Sequence, residues 1–197
     1  VRYRPSNAST FKLNLSSYGN TPSISQLTNV RQQIDNAQVS MGNANLKNYT
    51  TYRSQVQYEL SKGAFYGYLR GTYRYHHKPI MEYKYWEGDN IISSYANHKN
   101  AHVFNYEVHA ALNNWKNWVS ASAHFGFNRY IMHGNDYTHT YNNTYWNCFA
   151  EISHWNWSIG AQITTNYNSL WGESLSGGES AHILVLMYQH KSLHFML

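Results

Sequence analysis

Ser120, Ser122, His124 and Asn128 fall two or four residues apart in one stretch of this chain. A hydroxyl, an imidazole and an amide are the parts of an acyl-transfer site, with the imidazole as the base that activates the nucleophile. On a strand all four would share a face. Same-face neighbours there are about 7 Å apart, beyond direct hydrogen bonding. The group reads as a polar row, and no catalytic residue is assigned. Histidine is the second source of chemistry, with 12 in the chain. Neutral imidazole binds first-row transition metals, and His76, His77, His98, His102, His133 and His139 gather in and around two polar stretches. Adjacent strand side chains point apart and no tight ligand spacing appears, so no metal site is assigned. No cofactor is assigned either. Gly172-Glu173-Ser174 and Gly177-Gly178-Glu179-Ser180 lack the lysine and the strand-to-helix context of a phosphate loop. The single cysteine, Cys148, excludes an internal disulfide framework and a cysteine-based zinc site. Two larger sets remain. The polar set is Arg53, Gln55, Gln57, Glu59, Arg70, Arg74, Asn105, Glu107, His109, His124, Asn128, Glu151, Gln162 and Asn166. The aromatic set is Tyr83, Tyr85, Trp86, Tyr95, Tyr137 and Trp171, in stretches that read as loops. Exposed rings there are able to stack on a sugar or anchor a partner.

A period of two positions the polar set. Val119, Ala121, Ala123, Phe125 and Phe127 alternate with Trp118, Ser120, Ser122, His124, Gly126 and Asn128. One face is apolar and the other polar. The preceding strand mirrors it, with His102, Phe104, Tyr106, Val108, Ala110 and Leu112 against Val103, Asn105, Glu107, His109 and Ala111. A short polar turn at Asn113–Asn117 joins them. Further strands are expected at 1–4, 11–18, 49–60, 65–76, 144–153, 157–164 and 181–189, with a truncated one after the turn His190-Lys191-Ser192. Ala181 to Gln189 is apolar on both parities, so its facing is open. Residues 24–34 could hold a short helix, and 77–100 reads as a protruding hairpin with its tip at Glu87-Gly88-Asp89-Asn90.

Loop length alternates along these strands. Short turns near residues 6, 62, 115, 155 and 190 separate long loops at 19–48, 77–100, 131–143 and 168–180. Outer-membrane barrels have short periplasmic turns and long extracellular loops, and strands of about 10–13 residues at a tilt near 40° span their apolar band of about 25 Å. Aromatic residues gather at both strand ends. Trp115, Trp118, Trp155 and Trp157 lie at the short-turn side, and Tyr73, Tyr75, Tyr130, Tyr141 and Tyr145 at the loop side, as two interfacial girdles would. Composition agrees: charged residues are 13%, aromatic residues 17%, and mean hydropathy is −0.64. Charged residues are about a quarter of a usual soluble domain. No apolar run is long enough for a transmembrane helix. The net charge of +5 is scattered, with no basic run, so nucleic acid is not an expected partner. The expected fold is an all-β, antiparallel up-and-down transmembrane β-barrel, partial, with about nine or ten strands. Its partner is the lipid bilayer, its polar set lines a lumen, and Cys148 faces lipid. A soluble β-sandwich or adhesin is the competing reading, although sandwich strands are nearer 5–6 residues.

Two passages carry a family likeness. Thr21-Pro22-Ser23-Ile24-Ser25-Gln26-Leu27 resembles a Pro-Ser-Ile-x-x-Leu segment that follows a barrel strand. Gly42-Asn43-Ala44-Asn45-Leu46-Lys47 resembles a Gly-Asn-Pro-Asn-Leu-Lys-Pro motif that leads into the next strand, with Ala44 and Asn48 in place of its prolines. Both belong to the barrel of TonB-dependent outer-membrane receptors, particularly the outer membrane β-barrel family common in Bacteroidetes. The resemblance implies a nutrient importer of the Gram-negative outer membrane, not an enzyme, whose substrate is a siderophore, metal complex or glycan. It also implies a plug domain and the TonB system as partners. Residues 1–197, starting without Met and ending in the apolar run Phe195-Met196-Leu197, are expected to be a fragment of one barrel domain without its plug. A small pore without a plug and a soluble aromatic-rich glycan binder are the alternatives.

Overall fold

The computed structural model describes residues 1–190 and 193–196. In chain order the elements are β1 (Arg2–Ser6), β2 (Ser9–Asn20), α1 (Ile24–Leu27), β3 (Gln32–Gln33), β4 (Gln38–Ser40), β5 (Tyr49–Lys62), β6 (Phe65–His77), β7 (Ile80–Glu87) and β8 (Asn90–Asn97). They continue with β9 (Asn100–Trp115), β10 (Val119–His133), β11 (Thr138–His154), β12 (Trp157–Thr164), β13 (Asn168–Trp171), β14 (Ser174–Gly177), β15 (Ala181–His190) and β16 (Leu193–Met196). Ten of them form one antiparallel sheet in the order β1-β2-β5-β6-β9-β10-β11-β12-β15-β16. The excursions between β2 and β5, β6 and β9, and β12 and β15 leave the sheet, so the strands that remain neighbour each other up and down. The sheet does not close, and β1 and β16 are its edges.

The two faces differ as the alternation predicts. Register places Val56, Leu69, Val108 and Phe125 on the outer face and Gln57, Arg70, Glu107 and His124 on the inner one. A curved sheet crowds its concave side and splays its convex side. Phe125 is 48% exposed and Leu69 54%, whereas Asn128 and Gln57 on the inner face are buried. Apolar residues outside and polar residues inside invert the arrangement of a water-soluble domain. Lipid resolves the inversion. Cys148, paired with Ala123 and Ile163, lies on this outer face with an exposed thiol. Register also settles Ala181–Gln189: His182, Leu184 and Leu186 face outward, while Ile183, Val185 and Met187 face inward.

Short turns end the strands on one side. Asn114 near the end of β9 and Lys116 and Asn117 between β9 and β10 adopt positive φ, and Trp155 does so between β11 and β12. Trp115, Trp118, Trp155 and Trp157 are all exposed at this end. Lys116 Nζ lies 4.6 Å from the centre of the Trp115 ring, a cation–π contact.

Four expectations need correction. Residues 131–143 are not a long loop: β10 runs to His133, β11 starts at Thr138, and only 134–137 turn. Polar residues there disguised strands that continue beyond the apolar band. The possible helix over 24–34 shrinks to the single turn of α1, followed by β3. Residues 168–180 contain the hairpin β13-β14. The loop-side girdle loses Tyr130, Tyr141 and Tyr145, because their parity is that of Asn128 and Glu107, so they face inward. Tyr73 and Tyr75 do face outward. The expected turn His190-Lys191-Ser192 includes two residues outside the described ones.

At the long-loop side the excursions fold into a cap. β7 and β8 form a hairpin with its turn at Gly88-Asp89, and the 21–48 segment adds β4 parallel to β8, making the sheet β3-β4-β8-β7. The apolar core of the described molecule lies under this cap, where the excursions pack on the long-loop ends of β9 and β10. Met81, Ala101, Val103, Tyr130, Met132 and Leu170 are buried together, with Tyr137, Tyr141 and Trp171 packed around them.

Candidate functional site

The inner face is built in rows, because register stacks equivalent positions of neighbouring strands side by side. The row nearest the cap is Tyr18, Thr51, His76, Ala101, Met132 and His139, followed by Ser16, Arg53, Arg74, Val103, Tyr130 and Tyr141. Below it lies Asn14, Gln55, Thr72, Asn105, Asn128 and Asn143, six neutral polar side chains on six adjacent strands. The next row is Lys12, Gln57, Arg70, Glu107, Gly126 and Tyr145. Then come Thr10, Glu59, Tyr68, His109, His124, Asn147 and Thr164. Glu151 and Gln162 extend the polar face toward the short turns. Thirteen of the fourteen polar residues singled out by sequence therefore share one face. Asn166 does not join them: β12 ends at Thr164, and the exposed Asn166 donates its N–H to Ser180 Oγ at 3.1 Å.

Hydrogen bonds and ion pairs bind these rows. Lys12 Nζ contacts Glu59 Oε1 at 2.5 Å, and Gln57 Nε2 donates to the same oxygen at 2.6 Å. Gln55 donates to Gln57, and Arg53 to Gln55, so one ladder runs down β5. Arg70 Nη1 lies 3.4 Å from Glu107 Oε2, and its guanidinium covers the Tyr68 ring at 4.6 Å. Asn105 Nδ2 donates to Asn128 Oδ1 at 2.7 Å. That bond fixes the Asn128 amide, and its Nδ2, in a side chain 1% exposed, has no acceptor. A buried donor left without an acceptor costs about 1–3 kcal/mol.

The Ser120, Ser122, His124 and Asn128 row carries no nucleophile–base contact among the described residues. Ser120 Oγ accepts the Asn114 N–H, and the His124 ring packs edge-on to Tyr145 and His109. The histidines singled out by sequence bring only one pair together among the described residues, His102 and His133, whose rings meet edge-on at 5.8 Å. His76 is buried on the inner face, with Nδ1 2.9 Å from Thr51 Oγ1, while His77 is exposed. His102 meets Tyr73 Oη at 2.8 Å, and His139 stacks on Tyr137. No cluster of three metal-ligating side chains occurs among the described residues.

The aromatic set divides. Trp171 is an internal strut: its Nε1 donates to the Ile80 carbonyl at 3.0 Å and its ring meets His76 edge-on. Tyr137 packs on the cap core and against His98. Its hydroxyl finds no partner, and burial pushes its pKa up to about 12. Tyr83 and Tyr85 stack at 5.6 Å on β7, Trp86 is 70% exposed near the hairpin tip, and Tyr95 lies on β8. Tyr83, Lys84, Ala96, His98, Asn135, Asp136, Tyr137 and Glu173 line a cleft of about 330 Å³ in the cap. His98 Nδ1 accepts the Asn135 N–H at 3.1 Å, and burial lowers the His98 pKa, so it is neutral here.

The profile of the outer membrane protein beta-barrel family matches residues 1–192. The chain belongs to this family. It is an outer-membrane protein, and its open sheet is part of a barrel wall. Solved structures with the same fold include the ferric enterobactin receptor PfeA of Pseudomonas aeruginosa, 14% identical, with a TM-score of 0.63 over 97% of this chain and 32% of that one. The siderophore receptor PirA of Acinetobacter baumannii is 10% identical, with a TM-score of 0.66 over 97% of this chain and 34% of its own. The copper transporter OprC is 10% identical, with a TM-score of 0.70 over 97% of this chain and 30% of its own. The chain thus spans about a third of the length of these proteins. No curated protein matches it.

Within this family fold the two motif-like passages prove to be one clasp. Ser23 caps α1 reciprocally with Gln26. Gly42 N–H then donates to the Thr28 carbonyl at 3.0 Å and Asn43 N–H to the Gln26 carbonyl at 2.6 Å. A Cβ on Gly42 would lie 2.5 Å from that Thr28 oxygen, so only glycine fits. Asn43 Nδ2 donates onward to the Tyr95 carbonyl, and Asn97 on β8 bonds both the N–H and the carbonyl of Lys47. The clasp therefore fastens the 21–48 segment to the β7-β8 hairpin. Sequence reasoning missed the cap core, although a signal exists: Tyr130-Ile131-Met132 is apolar on both parities just where the polar face should continue.

Proposed function

We propose that this chain is a wall segment of a TonB-dependent receptor that imports a scarce nutrient across the outer membrane of a Gram-negative, Bacteroidetes-type bacterium. The inner face lines the transport lumen, the cap receives the ligand, and the parent protein supplies a plug that responds to the TonB system. Residues 1–197 then form one part of a single barrel domain. The observation that carries this reading is the polar, internally paired inner face under a folded loop cap. An open pore needs no such cap, and a lipid-facing surface tolerates no such polarity. The similar structures are of two siderophore receptors and a copper transporter, which supports a siderophore or metal complex as substrate; a glycan is the third class. Tyr83, Tyr85, Trp86 and Tyr95 are the ligand contacts proposed on the cap, since Tyr137 and Trp171 are occupied in packing it. The mechanism is capture and passage, with no bond made or broken.

The test is uptake by the complete reading frame in a deletion strain, with siderophore, copper complex and oligosaccharide offered separately. Growth rescue by one of them that disappears when the TonB system is removed is the expected result. Rescue independent of TonB would instead make the protein an open pore.

A further inference from the structure

Five cationic side chains, Arg2, Lys12, Arg53, Arg70 and Arg74, lie on the inner face by register, and their surroundings are unequal. Lys12 has Glu59 at 2.5 Å and Arg70 has Glu107 at 3.4 Å. Arg53 and Arg74 stand directly opposite each other on β5 and β6, and neither has a carboxylate within ion-pair distance among the described residues. Like charges facing across a strand pair repel. Arg53 donates to Gln55 Oε1, but its buried Nε donates to nothing. Two facing guanidinium groups with no carboxylate at ion-pair distance among the described residues make a site that lacks an anion.

We infer that Arg53 and Arg74 hold an oxyanion, a carboxylate or phosphate group, at the lumen wall just below the cap. Planar guanidinium forks match such groups with paired hydrogen bonds. The inference rests on the inner face being a lumen. The oxyanion has two possible sources: a solute entering beneath the cap, or an acidic side chain of a part of the receptor outside this segment that occupies the lumen.

The experiment uses the complete receptor in detergent, with R53Q, R74Q and the double variant compared with R53K/R74K and with the outward-facing control R129Q. Two readouts are taken: titration with inorganic pyrophosphate at low ionic strength, and the rate of proteolysis of the lumen-filling segment. If the source is a solute, the native receptor binds pyrophosphate and R53Q/R74Q weakens binding at least tenfold while R53K/R74K largely retains it. If the source is the receptor itself, pyrophosphate does not bind, and R53Q/R74Q speeds proteolysis severalfold while R53K/R74K and R129Q do not. If R53Q/R74Q equals R129Q in both readouts, the site does not exist. Should that happen in a receptor that still shows TonB-dependent uptake, the oxyanion site alone falls and the transport reading stands.

Discussion

At the scale of single residues, the inner face separates strong from weak ion pairs by exposure. Arg70 and Glu107 side chains are 28% and 14% exposed, against 40% and 17% for Lys12 and Glu59. Glu107→Gln strands a guanidinium in the more enclosed pair and is expected to cost about 1–3 kcal/mol. Lys12→Met removes the more solvated cation and is expected to cost about 1 kcal/mol or less. Urea unfolding of the two variants in the same detergent checks the order; equal losses would mean that exposure does not grade these pairs. His98 makes a pH prediction. Burial holds its pKa below 6.5, and its Nδ1 already accepts a hydrogen bond from Asn135, so protonation must break that contact. The Met81 backbone, then Glu173 and Asp136, pull the other way, more weakly than burial. The unfolded cap therefore binds more protons than the folded one below about pH 6.5, and cap stability falls as pH drops through that range. After correction for the intrinsic slowing of exchange at lower pH, amide protection at 134–137 should fall between pH 7 and 5 in the native protein and stay constant in His98→Gln.

At the scale of elements, the cap and the wall are separable. Met132 is fully buried in the cap core. Met132→Ala removes packing from four segments at once, at an expected cost of roughly 2–5 kcal/mol. Gly172, with φ of +65°, sits where a Cβ would lie 2.9 Å from the Glu82 carbonyl and from Met81 Cβ. Gly172→Ala is expected to lift the β13-β14 hairpin from β7. Both variants should accelerate proteolysis within 21–48 and 78–99, and Gly172→Ala, which lies outside the wall strands, should leave β9–β11 as resistant to the same protease as before. Loss of wall and cap together would show that they fold as one unit. The wall elements were legible in advance. The starts of β5, β6 and β12, and the hairpin tip at Gly88-Asp89, follow from alternation broken by turn residues. The outer ends of β10 and β11 were not, because polar residues such as Asn142 and Thr140 read as loop once strands leave the apolar band.

At the scale of the whole molecule, an exposed apolar outer face and two open sheet edges make water a poor environment for this segment. The complete protein is expected to sediment with the outer membrane and to require detergent for extraction. A folded, detergent-free monomer would overturn the barrel assignment and revive a soluble aromatic-rich binder. The open edges of the described sheet agree with its being one part of a wall. The inner-face rows end at β1 and at β16, where the rest of the barrel is expected to continue them.

Sequence alone determined that this chain is two-faced and which residues lie on each face where apolar and polar residues alternate cleanly. Side-chain alternation is a property of the extended backbone itself, and register needs only short turns to carry it from strand to strand. The polar rows around Glu107 and His124 were therefore readable without coordinates. Tertiary structure alone decided what becomes of the polar face beyond the membrane. There Trp171 bonds the Ile80 carbonyl 91 residues away, Tyr130 and Met132 become core, and Tyr137 packs against that core while it lines the cap cleft. Those outcomes depend on which distant excursions fold back together. No local pattern specifies such contacts, because the same aromatic residue serves equally well in a binding cleft and in a core.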